Sequence, residues 1–352
     1  MNDTLQMPTE EPKGPIQSTR KFKQHADGIY FGLPESDYHN DPALGSSGVR
    51  DLMQSPLKYW VNSPYNPERP AAEEEDPTDS KATAATVLGS YMHDLLLEGG
   101  TKAYAIKPAG MSFATKEGKA WRDDPIREGA IVITADQAKQ QRTMFNALEL
   151  SGVLKWFSQG EAEVSFFWTE KGGNRCKIRL DYLKAIGAAD LKTYANSMEK
   201  DTETAIAHTI AARRYSVSAF WYKHGLARMI AMIKAKGDAA IQTVHPNAPG
   251  PTDEQLDLID GLRHHEGDFP LHFVFIETGA VPNITVREFV SHDDGELNAY
   301  WRWAKQGVDY ATQQFARYMA KFGPDRIWID EAYFKEFTDA DFAAASWILA
   351  KD

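Results

Sequence analysis

Three side chains in RLDYLKAIGAADLKTY (179–194) have the types and spacing that metal-assisted hydrolysis needs: Asp181, Asp190 and Lys192. Cleaving a phosphodiester requires charge neutralisation at the phosphate oxygens and a hydroxide near neutral pH. A hard cation such as Mg²⁺, held by a few carboxylates and waters, supplies both. An acid at the end of one strand and an acid on the next can converge on one such ion. Lys192 shares a face with Asp190, because strand side chains alternate with period two. There it can orient or help to deprotonate the attacking water and stabilise developing charge. The competing reading is a solvated strand, where an acid and a lysine two apart arise by chance.

These residues must be positioned by a β-meander. EAEVSFFWTE (161–170), NRCKIRLDYLKA (174–185) and AADLKTY (188–194) are strand-like, with Gly-bearing breaks between them. In the second strand Cys176, Ile178, Leu180 and Tyr182 are expected on one face, and Lys177, Arg179 and Asp181 on the other. Before the meander, YHNDPALGSSGVRDLMQSPLKYW (38–60) predicts a turn and a helix N-capped by Ser46 or Ser47 and stopping near Ser55-Pro56. ATAATVLGSYMHDLLLEGG (82–100) predicts a helix ended by Gly99-Gly100, with His93 off its apolar stripe. A further helix, 134–150, starts at Thr134 as N-cap. After the meander a long helical region runs from about Asp201 to Lys236. The strand pair LHFVFIET and NITVREFV follows, then helices over 294–321 and 338–350. The expected class is α/β (α+β): a central mixed sheet with an antiparallel meander, flanked by helices. Residues 1–27 are expected to form a flexible tail and 28–352 a single domain. Its core spans about 82–236, with an acidic loop at 66–81 and the C-terminal strand pair and helices at 270–352.

Composition narrows the chemistry. Of 352 residues 42% are apolar, enough for a large core, and one cysteine, Cys176, excludes a disulfide framework and cysteine-based metal sites. That cysteine count fits a reducing cytoplasm, and neither a signal peptide nor a membrane span is legible. The net charge of −11 opposes binding nucleic acid over the whole surface. It is unevenly spread: Lys171 to Lys236 carry thirteen Lys/Arg against five Asp/Glu, a local +8 that leaves −19 elsewhere. Such a tract suits a focused phosphate-binding groove, but on charge alone a solvated helix face is the favoured reading. Phosphate-loop, nucleophile-elbow, HExxH, EF-hand and dinucleotide fingerprints are missing. HHEGD (264–268) has adjacent histidines on a polar loop, a weak metal signal, and His208, His224 and His245 lack an obvious partner in sequence.

The sequence resembles, in order, the PD-(D/E)XK nuclease superfamily and within it the exonuclease VIII-like recombination nucleases of phages and prophages. The similarity is carried by YHNDPALGSSGVRDLMQSPLKYW, LGSYMHDLLLEG, GKAWRDDPIREGAIVIT, the strands EVSFFW, CKIRLDYL and AADLKTY, and HFVFIETGAVPNITV. The resemblance implies a restriction-endonuclease-like core in which Asp181 and Asp190 bind metal and Lys192 is the catalytic lysine. It implies that His93 helps form the metal site and that Glu163 is an acid near the metals. From the residues alone, Glu163 reads equally as an exposed strand-start glutamate and His93 as a hydrogen-bonded helix histidine. Tyr215, Ser218, Ala219 and Tyr222 align with a Tyr-x-x-Gln-Ala-x-x-Tyr pattern, with serine in place of glutamine, a shorter side chain that cannot bridge as an amide can. Arg179, Arg213, Arg214, Ser218, Tyr222 and Lys223 are the candidate DNA contacts. The activity implied is a Mg²⁺-dependent exodeoxyribonuclease (Mn²⁺ as substitute) resecting linear duplex DNA from the 5′ strand for recombination. A single-strand-annealing partner and a homo-oligomer are implied with it. A structure-specific endonuclease and a decayed DNA- or protein-binding module are the alternatives.

Overall fold

The computed structural model describes residues 22–69, 81–97, 103–196, 198–279, 282–290, 292–293 and 296–330. The expectations for residues 1–21, for the acidic loop over 70–80, for Gly99-Gly100 and for a helix over 338–350 lie outside the described residues. In chain order β1 (Gly28–Tyr30) precedes α1 (Glu35–Asn40), α2 (Ser46–Leu52), α3 (Pro56–Asn62) and α4 (Lys81–Leu97). Then come β2 (Tyr104–Ile106), α5 (Lys116–Arg122), β3 (Ile131–Ile133) and α6 (Ala135–Ser151). The meander β4 (Glu161–Thr169), β5 (Arg175–Lys184) and β6 (Gly187–Tyr194) leads to α7 (Thr202–Arg213), α8 (Tyr215–Lys236) and α9 (Asp253–Arg263). β7 (Leu271–Glu277), β8 (Ile284–Glu288) and α10 (Ala299–Phe322) follow.

Six strands form the main sheet in the order β1-β4-β5-β6-β7-β8. All neighbours are antiparallel except β6 and β7, which run parallel. The parallel pair needs a crossover, and α7 to α9 supply it. The mixed α/β sheet flanked by helices is therefore as the sequence implied. On one face Val164, Ile178, Leu180, Phe273 and Phe275 pack with Leu52, Tyr59, Trp221, Met229, Leu258 and Trp301 from the surrounding helices. On the other face Leu191, Val274 and Ile276 pack with Met92 of α4 and Met144 and Leu148 of α6. Burial of these side chains, at roughly 25 cal/mol per Å² of apolar surface, is the main force holding both helical layers to the sheet.

Local chemistry explains the helix boundaries. Thr134 and Gln137 form a reciprocal capping box at the start of α6, and Gly152, in the left-handed region at φ 76°, ends it. Ser55-Pro56 starts a helix rather than stopping one: Ser55 Oγ accepts from Lys58 N at 3.0 Å and Pro56 takes the first-turn position, where its missing N–H costs nothing. The preceding helix begins at Ser46 with Gly45 as N-cap, so neither Ser46 nor Ser47 caps it. The long helical region divides at Arg214, which adopts φ 53° between α7 and α8. Residues 22–27, placed by sequence in the tail, belong to the body. Phe22 meets Tyr65 edge-on, and His25 is buried beside Asp41, whose carboxylate also accepts from Arg175.

One departure shapes the site. Tyr182 does not share the face of Cys176, Ile178 and Leu180 but turns into the opposite cluster. On the neighbouring strand Ala162 and Val164 likewise point to opposite clusters, and Glu163 between them has φ 54°, outside the strand region. Alternation thus slips by one on both strands, side by side, while the register between them is kept.

Candidate functional site

The sheet forks where that slip occurs. β5 and β6 pair only through Tyr182–Ala189, Leu183–Ala188 and Lys184–Gly187, whereas β6 and β7 stay paired over seven positions. Beyond Ala189 the backbone of β6 needs another acceptor, and Asp181 provides it: Leu191 N donates to Asp181 Oδ2 at 2.6 Å. Above the fork lies α4. Gly89 faces Thr193 of β6, where a Cβ would make an ordinary contact at 3.5 Å with Thr193 Oγ1, and His93, one turn later, reaches the fork.

His93, Glu163 and Asp181 converge, with one ligand atom from each lying within 4.8 Å of the others. His93 Nδ1 is 3.4 Å from Glu163 Oε1 and its Nε2 is 3.4 Å from Asp181 Oδ2. Burial opposes a charge on His93, but the Asp181 and Glu163 carboxylates outweigh it and lift its pKa to about 9. Burial and repulsion from Asp190 push the Asp181 carboxyl up to about 7. Burial acts in the same sense on Glu163, but His93 and Arg179 overcome it and hold its pKa below the usual carboxylate value. Arg179 Nε pairs with Glu163 Oε2, while its Nη1 donates to Leu33 O at 2.8 Å and Ser165 Oγ at 3.0 Å.

Asp190 is fully buried and lies behind Lys192, on the same face of β6. Lys192 Nζ forms an ion pair with Asp190 Oδ2, yet both Asp190 oxygens are buried without a hydrogen bond of regular geometry. Burial works against the Lys192 charge, and Asp190 and Asp181 more than compensate, so its pKa is raised. The ammonium also lies 5.6 Å from the Tyr215 ring centroid and 5.3 Å from that of Phe273. Spacing therefore placed Asp190 and Lys192 correctly on one face. Spacing alone did not show that Asp181 would gather with His93 and Glu163, two half-buried residues named by the resemblance, while Asp190 is fully covered. One imidazole and two carboxylates beside buried carboxylate oxygens that lack a regular hydrogen bond form a donor set that fits a divalent cation with mixed nitrogen and oxygen preference.

These residues line a cleft of about 880 Å³ together with Tyr38, Ser46, Arg50, Arg69, Lys177, Arg213, Tyr215, Ser218 and Tyr222. Of the candidate DNA contacts, Arg179, Arg213, Ser218 and Tyr222 are in the cleft, with Arg179 committed to Glu163. Arg214 is absent from the lining. Lys223 is a correction: it is buried on another side of α8, where Nζ donates to Asp268 Oδ2 and to Phe269 O. One residue of rotation beyond Tyr222 carries it away from the cleft. HHEGD is also ordinary, with His264 bonded to Asp260 O. His224 has a partner after all, Glu170 at 2.6 Å.

Sequence reasoning missed Arg50 and Lys177. Lys177 was legible on the Arg179–Asp181 face; its Nζ donates to Tyr38 O and Asp41 O, both at 2.6 Å, and burial lowers its pKa to about 7. Arg50 lies in the segment 38–60, but only the folded chain brings that helix against α8.

No curated protein matches this sequence. A solved structure from Eubacterium rectale described as "Putative exonuclease" is 14% identical, with a TM-score of 0.45 over 89% of this chain and 99% of that one, too distant a likeness to carry an inference. The family model described as a PDDEXK-like domain of unknown function (DUF3799) matches residues 54–244, more than half of the chain and the whole of the forked site, and the chain belongs to that family.

Proposed function

We propose that this protein is a metal-dependent deoxyribonuclease that resects linear duplex DNA as a 5′→3′ exonuclease for recombination. The observation that carries the nuclease reading is the fork: His93, Glu163 and Asp181 converge in an open cleft with Lys192 beside them. Those three residues would hold a divalent cation, which when bound supplies charge neutralisation at the phosphate and a hydroxide near neutral pH. Arg179 holds Glu163 in place, and the Leu191 N–H fixes the Asp181 carboxylate. Lys192, kept as an ammonium by Asp190, donates to the attacking water or to the phosphate oxygens as charge develops, rather than taking a proton. Asp190 is thus the orienting partner of the lysine, as well as the source of the field that raises the Asp181 pKa.

The 5′ polarity, a single-strand-annealing partner and a homo-oligomeric state rest on the exonuclease VIII-like resemblance alone. The cytoplasm as location rests on cysteine usage; among the described residues, no helix is long and apolar enough to cross a membrane.

Incubating the full chain with linear and circular duplex DNA, with Mg²⁺, Mn²⁺ or EDTA, tests the proposal. Progressive shortening of 5′ strands of linear DNA alone, abolished by EDTA, Asp181→Asn and Lys192→Ala, is the expected result. Nicked or linearised circles would replace it with a structure-specific endonuclease, and DNA binding without cleavage under any metal would leave a binding module.

A further inference from the structure

The cations of the cleft differ in what they are already doing. Arg179 is spent on Glu163, Ser165 and Leu33 O; Lys177 on two carbonyls; Lys192 on Asp190. Arg50 is not. Its Nη1 donates to Arg213 O at 3.1 Å, while its Nε is buried without a hydrogen-bond partner among the described residues. No carboxylate among those residues pairs with it. Its neighbour Asp51 faces Asn62 at 2.8 Å and Lys58 at 3.7 Å instead. Ser46, four residues earlier on the same face of α2, also lines the cleft with a buried, unpartnered hydroxyl. A partly buried guanidinium with spare donors is costly unless an anion completes its bonding.

The wall of the cleft formed by α8 carries no cation among Tyr215, Ser218 and Tyr222. Tyr215, Ser218 and Tyr222 line the cleft from consecutive turns of α8, and the positive charge of Arg50 acts on both tyrosines. Arg50 lines the same cleft as Ser218, the short residue between them, from a helix that packs against α8. A planar guanidinium presents paired donors that match two oxygens of one phosphate.

We propose that Arg50, with the Ser46 hydroxyl, is a positioning residue that grips a backbone phosphate of the DNA strand against the Ser218 wall of α8, next to the phosphate being cleaved. The assignment rests on the nuclease reading and adds to it a residue that does not touch the metal centre. The test uses the full chain and a fluorescein-labelled linear duplex in EDTA, read by anisotropy from 50 to 200 mM salt. Arg50→Ala should weaken binding about 10- to 100-fold, as expected for a charge-assisted contact, and flatten the salt slope by about one unit. Arg50→Lys should recover the slope but not the affinity, because the fork is lost. With Mn²⁺, the KM of Arg50→Ala should rise, while Mn²⁺ stabilises the variant against melting as it does the parent. A parent that binds DNA alongside an Arg50→Ala variant with the same affinity and slope overturns the inference and leaves the nuclease reading standing. Loss of Mn²⁺ stabilisation in that variant would also overturn it, by showing that Arg50 supports the metal centre. A parent that neither binds nor cuts DNA removes the nuclease reading and the inference together.

Discussion

At the residue scale, the fold without a cation disfavours the Asp181 carboxylate and favours a charged His93. Asp181 is raised from 3.8 to about 7 and His93 from 6.5 to about 9. In both cases the native state keeps a proton that the unfolded chain has released. Stability therefore falls as pH rises, through Asp181 between about 4 and 7 and through His93 between about 6.5 and 9. Asp181→Asn keeps an acceptor for Leu191 N and removes the ionisable group. Without metal, the variant should be more stable than the parent at pH 8 by about 1–2 kcal/mol, with the gap closing towards pH 4. Mn²⁺ should reverse the order, because only the parent retains the full ligand set. Thermal melting at pH 4.5, 6 and 8, with EDTA or Mn²⁺, reads both effects. A gap that does not change with pH would mean that Asp181 is not held near neutrality.

At the element scale, the site depends on how closely α8 approaches the sheet. Gly225 marks the contact: a Cβ there would lie 2.8 Å from Ile178 Cδ1, 2.9 Å from Ile178 Cγ2 and 3.1 Å from Trp168. Ile178 is fully buried and has nowhere to retreat. Alanine favours a helix over glycine by about 1 kcal/mol, but overpacking a filled core costs about 1–3 kcal/mol, so Gly225→Ala should be net destabilising by about 1 kcal/mol. Urea unfolding measures it, and a stabilised variant would show that α8 can lift from the sheet. Because α8 also carries Tyr215, Ser218 and Tyr222, the same variant should lose some DNA affinity. The sequence shows why much of this was legible in advance. Alternation put Asp190 and Lys192 on one face, and turn residues separated the strands of the meander. The slip at Glu163 and Asp181 was not legible, because a positive φ at a glutamate follows from tertiary packing rather than from local propensity. Nor was the burial of Lys223 away from the cleft, since a helix wheel does not say which neighbour will cover it. Arg50 was hidden for a third reason: it is far from the meander in sequence, and its partner at the end of α7 is a backbone carbonyl, which has no residue signature.

At the scale of the whole molecule, the proposed activity requires a polyanion to approach a protein with a net charge of −11. The structure reduces the excess of base that sequence assigned to residues 171–236. Lys223 is paired with Asp268, Arg228 with Glu170, and Arg179 with Glu163. The cations that face the cleft without such a partner among the described residues are few, Arg50, Arg69 and Arg213 foremost. Long-range attraction is then weak, and affinity must come from short contacts made inside the cleft. Each phosphate neutralised contributes about 0.9 to the slope of log K against log salt on duplex DNA, so three or four contacts predict a slope of about −3. A broadly basic DNA-binding surface gives a slope nearer −10. Anisotropy titrations in EDTA, between 50 and 200 mM salt, distinguish the two. A slope steeper than about −6 would require a second basic surface that the cleft does not contain. A shallow slope with measurable affinity would mean that recognition is local, and that the protein meets DNA at the cleft rather than along its flank.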